Sequence, residues 1–385
     1  MNISNLGQKM ETSLTRQLFM LAKNYTDTID LTLGDPNFVT PKSICEAAAN
    51  AVSQGNTHYS MNAGRLEARK AIVDTLRERY NVNYSVDNVI VTCGAMGALY
   101  QCLRCLVNPG DEVLIPTPHW VNYTQMTMMC GGTTVFVPTE SDKGFHINPE
   151  EIEKRITDKT RVLIINSPNN PTGAVLSEDE VRQIANIVIK YKLALITDEA
   201  YSSICYDDQY FSFLQIPEVL PYVVMIDSCS KRYAMTGWRV GYAVGPRELI
   251  ESMVKMQENV VACATVPAQL AMAEALRGSQ EQVQFMRDAF RERRDYLYSR
   301  VKDMQNVRMY LPEGTFYAFI DISDTNQDSL SFAMDVLKSV HVAVVPGITY
   351  GSMGDQYIRV AYTVSMEQLV EACDRLERYL KEKFA

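Results

Sequence analysis

Through the middle of the chain, short apolar runs rich in Val, Ile and Leu alternate with longer stretches whose apolar positions recur every three to four residues. The runs predict strands at residues 88–92, 112–116, 162–166, 193–198, 223–227 and 240–244. The stretches between them predict helices, and two of these have readable starts. Ser177-Glu-Asp-Glu180 spells a capping box that opens a helix running to about residue 191. Thr40-Pro41 offers an N-cap threonine followed by a proline at the first helical position. Strand and helix in alternation imply βαβ units, hence an α/β fold with a mostly parallel, doubly wound sheet. In such sheets a ligand crevice opens beyond the carboxyl ends of the strands.

Beyond about residue 246 the pattern changes. Charged helical stretches at 247–258 and 280–303 lead to strands near 314–322, 342–346 and 357–363, and Ser365-Met-Glu-Gln368 caps a final helix reaching Lys383. This predicts a large domain of residues 45–285 and a smaller α+β domain in which the N-terminal segment, 1–44, joins residues 286–385. No low-complexity linker and no internal repeat interrupts the chain.

Composition narrows the partners. The 385 residues are 46% apolar and 22% charged, as in ordinary globular proteins. Lys and Arg number 37 against 46 Asp and Glu, so the net charge of −9 provides no footprint for nucleic acid or an anionic membrane. A local basic pocket for a small anion stays open. The first residues have no signal-peptide pattern and no apolar run is long enough to span a bilayer, so a cytoplasmic location is expected. Nine scattered cysteines do not form a disulfide framework, and Cys102 and Cys105 read as packing on one helix. The four histidines include no pair at metal-ligand spacing, so no metal is expected.

The residues just past each strand carry the chemistry. Cys93-Gly94-Ala95-Met96-Gly97 opens a helix with small residues, whose N–H groups form an anion cradle. Pro118-His119-Trp120 follows the second strand, and Ser167-Pro-Asn-Asn170-Pro-Thr-Gly173 the third. Asp198-Glu-Ala-Tyr201 ends the fourth, and Ser228-Cys-Ser-Lys231 with Thr236-Gly-Trp-Arg239 follows the fifth. Taken singly, each has an ordinary explanation: close packing, a turn, an N-cap, a solvated lysine. Taken in order, a phosphate cradle, ring, amide, carboxylate, phenol, lysine and arginine meet in one crevice. Ser228-x-x-Lys231 also matches the motif of penicillin-recognising serine enzymes, but the accompanying S-D-N and K-T-G are absent, as are the glycine-rich nucleotide motifs.

These residues, together with Gly34-Asp-Pro-Asn and Tyr357-Ile-Arg359, resemble the class I/II aminotransferases, pyridoxal-phosphate (PLP) enzymes of fold type I, over nearly the whole chain. The resemblance implies that Lys231 forms the Schiff base with PLP and shuttles the proton in ping-pong transamination, passing the amino group of an L-amino acid to a 2-oxo acid. It implies that Asp198 pairs with the ring nitrogen, Tyr201 and Asn170 donate to the ring hydroxylate, and Trp120 stacks on the ring. Ser228, Arg239 and the backbone of Gly94, Ala95 and Met96 would hold the phosphate. Arg359 would grip the substrate carboxylate beside Gly34 and Asn170. Tyr59 matches the tyrosine that reaches the phosphate from a second subunit, which implies a homodimer.

Specificity is less legible. Relatives that use aspartate commonly carry a lysine where this chain has Met96, which points to broad, apolar or aromatic donors, with glutamate and 2-oxoglutarate as the other half-reaction. Ser13 and Thr15 could still serve an acidic substrate. A carbon–sulfur β-lyase on the same scaffold is the alternative enzyme. A PLP-binding regulatory module is the alternative of another class, but such proteins carry a DNA-binding domain ahead of the module, and only about thirty residues precede Gly34 here.

Overall fold

The apolar runs are continuous because helices cover the strands on both faces, so successive side chains enter two different cores. In the computed structural model, which describes residues 1–10, 12–206 and 210–384, thirteen strands occur. They are β1 (Ile29–Asp30), β2 (Val89–Thr92), β3 (Glu112–Thr117), β4 (Thr133–Pro138), β5 (Thr160–Asn166), β6 (Ala194–Asp198), β7 (Val223–Ser228), β8 (Gly241–Val244), β9 (Arg308–Met309), β10 (Tyr317–Asp321), β11 (Val342–Ala343), β12 (Val345–Pro346) and β13 (Tyr357–Ala361).

Seven strands form the main sheet in the order β2-β8-β7-β6-β5-β3-β4. Neighbours pair in parallel except at β8, which runs antiparallel to both β2 and β7. Val89 and Val91 point into the core under helices Leu66–Tyr80, Glu178–Tyr191 and Val266–Arg277, while Ile90 joins the opposite core under Gly94–Leu106 and Arg247–Val260. Leu163 and Ile165 alternate with Val162 and Ile164 in the same way.

All six predicted central strands are present. The pattern missed β4, an edge strand whose apolar run is only Val135-Phe136-Val137, between two threonines and Pro138. Thr40 is not an N-cap: the helix is Lys42–Ser53 with Pro41 at the cap position, and the Thr40 hydroxyl instead donates to Ala234 O at 2.7 Å. The capping boxes at Ser177 and Ser365 form as read.

In the C-terminal part, β12-β13-β10-β9 make an antiparallel sheet, packed with helices Glu281–Asp303, Ser329–Val340 and Met366–Phe384 around a separate core. The predicted strand at 342–346 divides: β11 pairs in parallel with β1, and β12 pairs with β13. The N-terminal helix Leu14–Ala22 packs Leu18 and Ala22 against Leu337 and Ala343. Ile44 lies in the core of the main sheet. No helix among the described residues is long and apolar enough to cross a membrane.

One ionic contact ties the two cores together at the surface. His146 places Nδ1 3.0 Å from Glu180 and Nε2 3.2 Å from Glu313. Hydrogen bonds to Glu180 and then Glu313 raise its pKa from 6.5 to about 10. A group whose pKa is higher in the folded state stabilises the fold fully below its unfolded pKa and loses that contribution as pH rises through the folded one. Chemical denaturation is therefore expected to show stability falling between pH 6.5 and about 10 more steeply in the wild type than in His146→Gln. Equal slopes would contradict the linkage.

Candidate active site

The carboxyl ends of β3, β5, β6 and β7, with the helix start after β2, converge on a cavity of about 310 Å³. Every residue to which the resemblance gives a role in the site lines it except Gly94 and Tyr59. Gly94 lies directly beneath: it opens helix Gly94–Leu106 at φ +69°, and a Cβ there would sit 2.6 Å from Arg239 Nη2. Tyr59 is elsewhere. It is 89% exposed and borders a separate surface hollow with His58 and residues 263–267.

One end of the cavity is built for an anion. The first turn of the 13-residue helix brings Ala95 and Met96 to the wall beside Ser228, Ser230 and Arg239. Arg239 is turned inward by a left-handed backbone (φ +51°), and its Nη1 donates to Thr236 O at 2.8 Å. Beneath Ser228, Asp227 Oδ1 accepts its N–H at 2.6 Å, and Arg232 lies 3.5 Å from Asp227 Oδ2.

The floor carries Asp198, buried at the end of β6. Its Oδ2 accepts from Tyr123 Oη at 2.8 Å and its Oδ1 from Ala200 N at 3.2 Å. Asn166, the last residue of β5, donates to Asp198 O at 3.0 Å and accepts from Asn170 N at 2.9 Å, locking the turn after β5 to β6. Burial raises the Asp198 pKa to about 6 against the pull of these hydrogen bonds. A cation set against it would hold it ionised.

Lys231 faces the same space from the short helix after β7 and donates to Gly34 O. Burial lowers its pKa to about 8; Arg359 and Arg239 lower it as well, against Asp35 and Asp198. More of the amine is thus neutral near physiological pH than in a free lysine, as a nucleophile or base requires. Trp120 closes one side, edge-on to Tyr123 with ring centroids 5.3 Å apart.

The far wall is an arginine with no acidic partner among the described residues. Arg359 is buried, and its Nη1 donates to Asn170 Oδ1 at 3.1 Å and its Nη2 to Thr32 O. Its guanidinium carbon stands 4.2 Å from the Tyr317 ring centroid, and its buried Nε has no partner. A buried cation with an unsatisfied donor is costly unless a carboxylate enters to meet it. Because Asn170 Oδ1 is engaged, its amide group is left as a donor. Burial, then the neighbouring Tyr317, hold the Tyr201 hydroxyl protonated, 3.1 Å from Tyr317 Oη.

Sequence reasoning missed Tyr123, Asn166 and the contacts of Tyr317. Asn166 could have been found as the polar end of an apolar run; Tyr123 lies in an ordinary helical pattern and gave no signal, while Tyr317 ends a Pro312–Tyr317 segment that also resembles the family, though nothing in it announces the contact with Arg359.

Residues 26–376 match the family model for aminotransferases of class I and II. An aspartate aminotransferase of Pyrococcus horikoshii is 37% identical, covering 96% of this chain and 95% of its own. Aromatic-amino-acid aminotransferase 2 of Thermococcus litoralis is 36% identical, covering 100% and 99%. The solved structure of a Thermus thermophilus aspartate aminotransferase with maleate superposes with a TM-score of 0.95 at 33% identity, covering 99% of this chain and 100% of that one.

Gly34 gives a direct test of the packing around Arg359. A Cβ on Gly34 would fall 1.7 Å from Tyr317 Oη, so the ring that stacks on Arg359 would have to move. Gly34→Ala is expected to cost about 1–3 kcal/mol in chemical denaturation. Adding Tyr317→Ala, which removes the ring whose Oη and Cζ would lie 1.7 and 2.8 Å from that Cβ, should make Gly34→Ala nearly neutral in that background; an undiminished cost there would contradict the steric account.

Proposed function

The chain belongs to the class I and II aminotransferase family, and on that premise we propose the part each residue takes in its pyridoxal-phosphate-dependent reaction. The enzyme transfers the amino group of an amino acid to a 2-oxo acid. Pyridoxal 5′-phosphate, when bound, supplies an electron sink for the electrons left on the substrate's α-carbon after it loses a proton.

The residues present fit that group. Arg239, Ser228 and the N–H groups of Ala95 and Met96 bind its phosphate, with Gly94 leaving the space. Asp198 holds a proton on the ring nitrogen, Trp120 packs on the ring, and the Asn170 amide and Tyr201 hydroxyl donate to the ring oxygen. Lys231 would hold the cofactor through Nζ and, once the substrate's amine has displaced it, its free amine would move the proton taken from the α-carbon. Arg359 binds the substrate carboxylate, positioned by Asn170, Thr32 O and the Tyr317 ring beside Gly34. The observation that carries this reading is the pairing, in one cavity, of a lysine depressed by burial with a buried carboxyl and an arginine that has no acid of its own among the described residues.

For the substrates, we infer broad L-amino-acid donors, aromatic and apolar ones favoured over aspartate, with 2-oxoglutarate as acceptor. The cationic side chains on the cavity wall are Lys231, Arg239 and Arg359, each already assigned, and Met96 stands where a counter-charge would serve a distal carboxylate. A second hollow shares Ser13, Met96, Val121 and Asn122 with the cavity and continues between Met10, Met126 and Met129. Pliable methionines of this kind suit apolar side chains of varied shape. The hydroxyls of Ser13 and Thr15 remain for an acidic acceptor.

We also infer a cytoplasmic homodimer. The exposure of Tyr59, Met61, Val260 and Val261 supports burial against a second copy, from which Tyr59 would reach the phosphate. All nine cysteines are free, in keeping with a reducing compartment. Residues 45–285 would form the cofactor-binding unit, and 1–44 with 286–385 the unit that closes over substrate.

Reconstituted protein is expected to change its cofactor absorbance on addition of an amino acid and to recover it on addition of 2-oxoglutarate. Lys231→Ala should keep part of its PLP binding and lose turnover altogether; an active variant would contradict the assignment. Met96→Lys is expected to raise kcat/KM for aspartate about tenfold relative to phenylalanine, and an unchanged ratio would remove Met96 from specificity.

A further inference from the structure

The carboxyl that faces the cofactor ring has a partner behind it. Tyr123 Oη donates to Asp198 Oδ2 at 2.8 Å, and both residues are buried, at 2% and 4% exposure. The second carboxylate oxygen is occupied by Ala200 N at 3.2 Å. With one oxygen held by backbone and the other by a phenol, the plane of the carboxyl is determined from two sides, and its remaining lone pairs face the cavity.

The phenol is itself fixed. Tyr123 lies in the first turn of helix Asn122–Met129, and its N–H bonds to Trp120 O at 3.1 Å. Thr127 Oγ1 caps Tyr123 O at 2.8 Å, and the Tyr123 ring meets Trp120 edge-on. One turn of chain therefore delivers both the aromatic wall and the donor behind the floor. Burial and the Asp198 charge keep the phenol protonated, so it can only donate to the carboxylate.

We propose that Tyr123 is a positioning residue for the cofactor's ring nitrogen, acting through Asp198. It holds the carboxyl in the orientation that meets an N–H and favours the ionised form by donating to it. Other groups act on the same carboxyl: Ala200 N also favours ionisation and Lys231 attracts the charge, while Asp227 opposes it. Tyr123 is the side-chain donor among them. Asp198 without it would be left with its backbone contact in a site where burial already pushes it toward neutrality. The proposal rests on the pyridoxal-phosphate reading above.

The test measures equilibrium binding of two ligands to apoprotein: PLP, and its 1-deaza analogue, which carries C–H in place of the ring nitrogen. Tyr123→Phe is expected to weaken PLP binding about 10- to 100-fold, as loss of a hydrogen bond to a charged group would. The same change should alter binding of the deaza analogue less than about threefold, since no ring N–H is there to be met. In an Asp198→Asn background, Tyr123→Phe should have no further effect on PLP. Equal losses for both ligands would mean that Tyr123 acts by packing against Trp120, and no loss for either would mean that the hydrogen bond is idle; each result overturns the proposal. If Tyr123→Phe does not fold, Tyr123→His, which keeps a ring donor, must retain the wild-type preference for PLP over the analogue, and its failure to do so overturns the proposal equally. Wild-type protein that bound neither ligand would instead overturn the functional reading, and with it this one.

Discussion

Burial of the Asp198 carboxyl at the end of β6 sets the terms for the groups around it. A carboxyl with little access to water is driven toward its neutral form, and here its pKa rises to about 6. It stays available as an anion only while donors and an opposite charge compensate. Tyr123 and Ala200 supply the donors, and a cation in the cavity would add the charge. On the other side the same dryness acts in the opposite sense, lowering Lys231 toward a free amine. One desolvated space therefore prepares an acid to receive a cation and a base to give up its proton.

The sheet makes that space possible at small cost. Its strands bury both faces, so side chains within the strands are spent on packing and chemistry is confined to the residues where each strand stops. Asp198 and Ser228 are the last residues of β6 and β7, and Asn166 the last of β5. Parallel pairing of β5, β6 and β7 brings these ends side by side. The smaller part of the chain then closes the cavity with Arg359 from β13 and Tyr317 from β10, while Gly34 arrives from the segment after β1. The Asn170–Arg359 bond, 189 residues apart in sequence, joins the two parts across the site.

Much of this was readable from the chain. Continuous Val and Ile runs mark strands that are covered on both faces, and the six central ones were found with errors of one or two residues at their ends. Polar residues just past those runs drew attention to Lys231, Asp198, Arg239 and Asn170, which line one cavity, because a polar group after a strand is conspicuous against an apolar run. Edge strand β4 was not legible, since its apolar run is short, Val135 to Val137, and is bounded by threonines and Pro138. Thr40 shows the opposite error: a good capping residue in a good position donates to Ala234 instead, because a tertiary acceptor lies within reach.

By itself the sequence determined the alternating elements and the sheet with polar residues gathered at its strand ends, since these depend on local periodicity and on residues adjacent to it. Only the tertiary structure decided which groups touch. Tyr123 reads as one more residue of a helix until folding sets it 2.8 Å from Asp198, 75 residues away, and Tyr317 as one more strand aromatic until it stacks on Arg359. The shifted states of Asp198 and Lys231 belong to the fold for the same reason. Desolvation is a property of the surroundings, and no stretch of chain carries its own.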